Sequence, residues 1–197
     1  LTLGAYGSDM DFYAMKGVIE AVLKDLRATD ISFRTGTDEP TENSYHPGRY
    51  ATVWSGDTCV GCFGEIHPLT AQNYGVDGAF YCAELSLDAL AQVKGPDPEY
   101  VPLPKFPAVT RDIAVVCDKA VTVGELEDAI RKGAKGLLKD VALFDIYTGT
   151  GIAPGKKSVA FNLTLRADDR SLTAEEADAD VKSILTALEQ ECGAVLR

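Results

Sequence analysis

Five of the nine prolines stand at positions 96, 98, 102, 104 and 107. No helix runs through Lys94-Gly-Pro-Asp-Pro-Glu-Tyr-Val-Pro-Leu-Pro-Lys-Phe-Pro107. Proline removes a backbone donor and collides with the preceding turn, and it is excluded from central strands for the same lost donor. The sequence is therefore cut into two parts joined by an extended, semi-rigid connection. The expected boundaries are 1–94, a linker at 95–104, and 105–197, each part being of domain size. Charge divides at the same place. Residues 1–103 carry 6 basic and 15 acidic side chains, and 104–197 carry 13 and 15. Within the second part, 131–166 holds seven basic residues (Arg131, Lys132, Lys135, Lys139, Lys156, Lys157, Arg166) against Asp140 and Asp145.

The net charge of −11, with 46% hydrophobic and 25% charged residues, is that of a globular protein. Apolar runs such as Ile113 to Cys117 fall far short of the roughly 20 residues a membrane helix needs, so no membrane association is expected. No charged-then-apolar leader is present. The first residue is Leu1, so a fragment or a processed product is expected. Five scattered cysteines (Cys59, Cys62, Cys82, Cys117, Cys192) make an odd count. They read as reduced thiols of a cytoplasmic protein.

The second part has a clear order of elements. Arg111 to Cys117 reads as a strand. Thr122 to Ala134 reads as a helix opened by a capping box, Thr122 to Glu125. Lys139 to Tyr147 and Lys157 to Arg166 read as strands. The latter alternates, with Val159, Phe161, Leu163 and Leu165 on one face and Ser158, Ala160, Asn162, Thr164 and Arg166 on the other. Thr173 to Cys192 is a helix with a second capping box, Thr173 to Glu176, and Gly193 follows as its C′ residue. Ala194 to Arg197 closes the order as a short strand. The result is β-α-β-β-α-β, the ferredoxin-like arrangement: one antiparallel sheet, two helices on one face, and the other face open. Such a face is a place to meet RNA.

The first part reads as α+β and mostly antiparallel. An amphipathic helix spans Asp11 to Ala28. Strands are expected at Ile31 to Arg34, Tyr50 to Trp54, Cys59 to Gly64 and Phe80 to Leu85. A short helix runs from Pro68 to Asn73, and Ser86 caps another from Leu87.

Isolated motifs carry little chemistry. Cys59-Val-Gly-Cys62 with His46 and His67 resembles zinc spacing. Three residues apart in a strand, however, the two thiols are expected on opposite faces. Thr150 to Ser158 resembles a phosphate loop but lacks its first glycine and its Ser or Thr after the lysine, and a strand follows it. His46 and His67 each precede proline and read as turn residues. Asn162-Leu-Thr164 is a formal glycosylation sequon inside a strand. By physics alone the best candidate is the basic window with Tyr147 and the open-face residues of 158–166, where cations would meet phosphates and the ring would stack a base.

These residues also form a recognisable series. Phe106-Pro-Ala-Val-Thr-Arg-Asp-Ile-Ala-Val-Val116, Leu143-Phe-Asp-Ile-Tyr-Thr-Gly149, Gly155-Lys-Lys-Ser158, Leu163-Thr-Leu-Arg166, Asp169-Arg-Ser-Leu-Thr173 and Glu175-Glu176 resemble the anticodon-binding domain at the C-terminus of bacterial phenylalanyl-tRNA synthetase beta subunits. Asp11-Phe-Tyr-Ala-Met-Lys-Gly17, His46-Pro-Gly-Arg49, Gly64-Glu-Ile-His-Pro68 and Glu84-Leu-Ser-Leu-Asp88 are similar to the segment that precedes it in that family.

The resemblance implies a ferredoxin-like anticodon-binding domain after a class II synthetase-like segment without catalytic residues. The sequence agrees in having no Gly-x-Gly-x-Glu/Asp-Arg pattern. It implies a part of an enzyme of two alpha and two beta subunits that joins phenylalanine to its tRNA with ATP and Mg²⁺, with catalysis in alpha and no cofactor in this segment. The expected partners are the anticodon stem-loop of phenylalanine tRNA and the alpha subunit. On this reading Arg111, Lys156, Lys157 and Arg166 hold phosphates and Tyr147 stacks. Ser158 and Asn162 bond base edges, and Phe106 and Ala108 border the pocket. His46, Arg49, Glu65 and His67 are structural turn residues of a scaffold that docks on alpha. The alternatives are a stand-alone RNA-binding or regulatory module with the same fold, and a small-molecule-sensing ferredoxin-like protein.

Overall fold

The computed structural model describes residues 1–35 and 44–197. Two compact units result, Leu1–Tyr100 and Val101–Arg197, each with its own core.

The first unit contains β1 (Thr2–Tyr6), α1 (Phe12–Asp25), β2 (Ile31–Arg34), β3 (Tyr45–Ser55), β4 (Thr58–Ile66), α2 (Pro68–Asn73), β5 (Phe80–Leu85) and α3 (Leu87–Gln92). The sheet runs β1-β5-β4-β3-β2, every neighbour antiparallel. Strand β1 is an addition to the sequence reading. Its five residues are too few for alternation to stand out, and pairing with β5 supplies what propensity does not. Helix α1 starts where Asp11 accepts the Ala14 N–H at 2.7 Å. It ends at Asp25, shorter than expected, because Arg27 turns to φ 58°. Its buried Met15, Ile19 and Leu23 pack on Phe63, Val53 and Ala83 of the sheet. The opposite sheet face carries a smaller cluster, Tyr45, Tyr50 and Cys62.

One expectation fails here. Cys59 lies opposite Trp54 and Cys62 opposite Thr52, and Thr52 and Trp54 share a face. The two cysteines therefore share that face. A register shift between Val53 and Trp54 inserts one extra residue into β4 and reverses the parity.

The second unit contains β6 (Val109–Asp118), α4 (Val123–Gly133), β7 (Leu138–Tyr147), β8 (Lys156–Leu165), α5 (Ala174–Cys192) and β9 (Val195–Leu196). The sheet order is β7-β8-β6-β9, again antiparallel throughout. This is the ferredoxin-like βαββαβ arrangement. Odd-numbered residues of the two central strands (Ile113, Val115 and Cys117 of β6; Val159, Phe161 and Leu163 of β8) pack with Leu126, Ala129 and Ile130 of α4 and Ile184 and Leu188 of α5. Both helices open on complete capping boxes, Thr122 with Glu125 and Thr173 with Glu176. Gly193, at φ 59°, ends α5 in the left-handed region that glycine tolerates best. The helices approach closely at Gly133, where a Cβ would stand 2.7 Å from the Ala187 Cβ and 2.9 Å from the Ile184 Cα. Beside that crossing, the buried Asp180 carboxylate accepts the Lys135 N–H at 2.7 Å and so fixes the turn after α4.

Two expectations follow. Gly133→Val forces the helices apart and lowers unfolding stability by about 2 kcal/mol, the cost of overpacking, measurable by urea denaturation. Thr173→Ala removes a cap and costs about 1 kcal/mol. The cap carboxylates also titrate. Hydrogen bonds from Thr122 hold the Glu125 carboxyl below its ordinary range. Arg170, then the Thr173 backbone, does the same for Glu176. A folded-state pKa below the unfolded one gives stability that is present above the unfolded value, near 4.3, and is lost as pH falls through the folded one. The stability gap between the wild type and a Glu125→Gln, Glu176→Gln double variant is therefore largest at neutral pH. It closes below about pH 4 in thermal melts.

Candidate nucleic-acid interface

Even-numbered positions of β6 and β8 point away from the helices, and the cross-strand register sorts this open face into rows. Tyr147, Ser158, Val116 and Val195 form one row across all four strands. Asp145, Ala160 and Ala114 form the next, followed by Ala142, Asn162 and Asp112, then by Asp140, Thr164 and Thr110. On the other side of the Tyr147 row, Lys156 faces Asp118. The centre of the face is built from small side chains, and flat groups can lie on it.

Tyr147 is held in place. Its hydroxyl donates to the Thr150 carbonyl at 3.3 Å. Its ring packs over Gly149, where a Cβ would stand 2.7 Å from the ring Cζ and 2.5 Å from the hydroxyl. Only glycine at 149 leaves the ring that position. Arg197, one residue beyond β9, donates its N–H to the Ala114 carbonyl at 2.8 Å. Its guanidinium lies 5.7 Å from the centroid of the Tyr147 ring.

The other expected site residues fall in several places. Lys156 is on the open face and is paired with Asp118 at 2.8 Å. Asn162 is on the open face and donates an amide hydrogen to Asp112 at 2.6 Å. Ser158 is on the open face but only 4% exposed, so no ligand bonds its hydroxyl unless the groups above it move. Arg166 follows the last paired residue of β8, and its Nε is buried without a partner. Phe106 is half-buried and Ala108 exposed, both ahead of the first paired residue of β6.

Two cations are not on this face. Arg111 has the parity of Ile113 and Val115, and its Nε donates to Asp178 of α5 at 3.0 Å. Lys157 lies opposite Cys117 on the helix-bearing face. There its charge opposes the upward push of burial on the Cys117 thiol and helps keep Glu125 low. Lys156 and Lys157 thus project to opposite sides, and the basic window seen in sequence does not gather into one patch.

The charge of the open face reflects this. Asp112, Asp118, Asp140 and Asp145 stand on it with Lys156 and Arg197. Sequence reasoning gave no site role to Arg197 or to the four carboxylates. The parity of β6 was the signal for Asp112 and Asp118. Nothing in the sequence places Arg197 near Tyr147. An acceptor-rich face with an aromatic ring is suited to the donor edges of bases more than to phosphates.

The four turn residues of the first unit make local contacts. His46 Nδ1 accepts the Gly48 N–H at 3.1 Å, and His67 Nδ1 accepts the Leu69 N–H at 3.2 Å and so caps α2. Arg49 pairs with the buried Glu65 carboxylate, which also accepts the Tyr81 hydroxyl at 3.1 Å. Burial, then Glu65, pushes the Tyr81 phenol up. Among the described residues no three His, Cys, Asp or Glu side chains converge in a cluster that could hold a metal ion. No helix among them is long and apolar enough to cross a membrane.

Comparison with known proteins agrees with the ferredoxin-like fold of the second unit. Residues 104–197 match the family described as ferredoxin-fold anticodon binding domain. Residues 1–87 match the phenylalanyl tRNA synthetase beta chain CLM domain. The chain is 39% identical over 197 residues to the phenylalanine–tRNA ligase beta subunit of Clostridium tetani, covering 100% of this chain and 24% of that protein. It is 42% identical over 187 residues to the beta subunit of Symbiobacterium thermophilum, covering 95% and 20%. It is 39% identical over 189 residues to that of Shewanella oneidensis, covering 95% and 23%. The chain thus spans about a quarter of the length of the curated relatives it matches, or less. With two domain families of that subunit matched in succession, and relatives aligned along nearly all of its residues, the chain belongs to the phenylalanine–tRNA ligase beta-subunit family.

Proposed function

We propose that this chain is the tRNA-reading, non-catalytic part of a phenylalanine–tRNA ligase. Residues 105–197 bind the anticodon stem-loop of phenylalanine tRNA on the open face of the sheet. Residues 1–94, joined by the linker 95–104, are a scaffold for the alpha subunit in a cytoplasmic assembly of two alpha and two beta subunits. The ATP and Mg²⁺ of the ligation reaction belong to the alpha subunit, and no chemical step is assigned to residues of this chain.

The observation that carries this reading is the Tyr147 ring, bonded to Thr150 and beside a floor of small side chains, on the sheet face opposite α4 and α5. Sequence-specific RNA recognition acts on unpaired bases, which stack on aromatic rings and present their edges to polar groups. Asn162, Asp112 and Asp145 stand within neighbouring rows to meet such edges. Lys156 opens β8 and Arg166 follows its last residue; these are the cations that would meet phosphates, Lys156 by exchanging its partner Asp118. The net charge of −11 further limits the electrostatic share of binding.

The test is binding of this chain to phenylalanine tRNA and to the same tRNA with a changed anticodon. The native anticodon is preferred. Tyr147→Ala weakens binding by about 1–3 kcal/mol, the worth of one base stacked on an aromatic ring. Equal binding of both tRNAs, or binding indifferent to Tyr147→Ala, would overturn the assignment. With about two phosphate contacts, affinity falls only some sevenfold between roughly 50 and 200 mM salt. A fall of a thousandfold would mean that phosphates, not bases, dominate.

A further inference from the structure

Charge is sorted on the two helices of the second unit. Helix α5 carries six carboxylates (Glu175, Glu176, Asp178, Asp180, Glu189, Glu191) and a single cation, Lys182. On α4 the acids precede Ala129, and Arg131 and Lys132 stand in the last turn. Ile184 and Leu188 of α5 are turned into the core, while Lys182, Thr186 and Gln190 are exposed. Between the exposed sides of the helices runs a groove of about 460 Å³. Lys132 and Lys135 form one wall and Lys182, Thr186 and Gln190 the other, over a floor at Gly133 and Ala187. No carboxylate lines it, on a chain of net charge −11.

Two of the three lysines are uncommitted. Lys132 is matched by Glu191 at 2.5 Å. Lys135 and Lys182 make no ion pair among the described residues. Asp178, one turn before Lys182, bonds Arg111 instead at 3.0 Å. Asp180 is buried and bonds the Lys135 backbone N–H. The C-terminal end of α4 favours cations, which accounts for Lys132. That field does not reach the middle of α5, where Lys182 stands.

The groove suits a peptide better than RNA. Thr186 donates its hydroxyl proton to the Lys182 carbonyl at 2.9 Å, so it offers the groove only lone pairs. A peptide N–H can meet them, whereas a phosphodiester linkage has no donor. No aromatic ring lines the groove, so no base stacks there. A helix layer about 10 Å thick separates it from the open sheet face. Its ends are marked by Lys135, tied to Asp180, and Lys132, paired with Glu191. These partners are eleven residues apart on α5, about 16 Å, the span of about five extended residues.

We propose that the groove between α4 and α5 docks an extended, acidic protein segment. Carboxylates of that segment pair with Lys135 and Lys182, and one of its backbone N–H groups donates to Thr186. The docking is independent of anticodon reading, since it uses none of the open-face residues.

The experiment is an NMR titration of amide shifts on the full 197-residue chain at about 50 mM salt, where surface charges are only partly screened. The probes are capped hexaglutamate, capped hexaglutamine and hexauridylate. Hexaglutamate shifts the amides of 132–135 and 179–190 saturably. Lys135→Glu with Lys182→Glu weakens that binding about tenfold, as two attractive surface pairs become repulsive. Hexaglutamine binds about tenfold more weakly than hexaglutamate for want of the same pairs. Thr186→Val weakens hexaglutamate about threefold, the worth of one modest hydrogen bond, and leaves hexauridylate unchanged. No saturable shift in the groove, shifts undiminished in the double variant, or equal binding of hexaglutamine would overturn the proposal. Hexauridylate bound as tightly as hexaglutamate would make the groove a phosphate site and overturn it equally. Circular dichroism melts check the fold of each variant. Should the double variant unfold, Lys182→Ala carries the comparison, with a loss of about threefold expected and no loss overturning the proposal.

Discussion

The C-terminal unit depends on one constraint, the two-residue periodicity shared by β6 and β8. These are the central strands, and each buries its odd-numbered side chains under α4 and α5. A slip of one residue in their pairing would move Val159, Phe161 and Leu163 to water and drive Asn162 and Thr164 into the core. The apolar set therefore fixes the register, and the register fixes which polar residues share the open face. The candidate site is a by-product of packing on the opposite side of the same strands. Its floor is flat because the even positions at the centre are Ser158, Ala160 and Ala114.

This explains how much of the unit was legible in sequence. The alternation of 158–166, two capping boxes and Gly193 each report a local rule, and together they gave the βαββαβ order. The same rule, applied strictly, also places Arg111 and Lys157 on the helix side, since they share the parity of Ile113 and Val159. Reading the basic residues as a window of sequence hid that. Charge in a window is not charge on a face: residues 131–166 pass through a helix and two strands, and the strands expose both their sides. What no local rule reports is contact between residues far apart in sequence. Arg197 meets Tyr147 through a four-strand register, and Cys59 joins the face of Cys62 through a β-bulge. Strand β1 was missed for the same reason, because it is defined by its partner.

The first unit uses its sheet differently. Helix α1 covers one face with Met15, Ile19 and Leu23, and the other face is partly closed by Tyr45 and Tyr50 over Cys62. Gly64 permits this closure. A Cβ there would stand 2.4 Å from the Arg49 carbonyl and 3.2 Å from the Tyr45 ring. At the strand end beyond it, Glu65 gathers Arg49 and Tyr81 into a hydrogen-bonded cluster. The carboxylate is buried, so it requires both partners. The motif residues of this unit thus hold turns and strand ends in place.

Acidity and RNA reading are compatible once affinity and discrimination are separated. Phosphate contacts add affinity to every RNA alike, and base contacts add it only to the right one. On the open face Lys156 is already matched by Asp118, and four carboxylates stand in the surrounding rows. A duplex or a generic backbone gains little there and meets repulsion from the aspartates. A loop that presents an unpaired base gains the ring of Tyr147 and the edges around it. The carboxylates also suppress wrong partners, since like charges brought together disfavour binding. On the proposed reading, a weakly attractive face with one aromatic plate would trade overall affinity for a larger difference between loops. On that reading the difference would be the useful quantity within a larger assembly, where separate linked contacts add to the affinity.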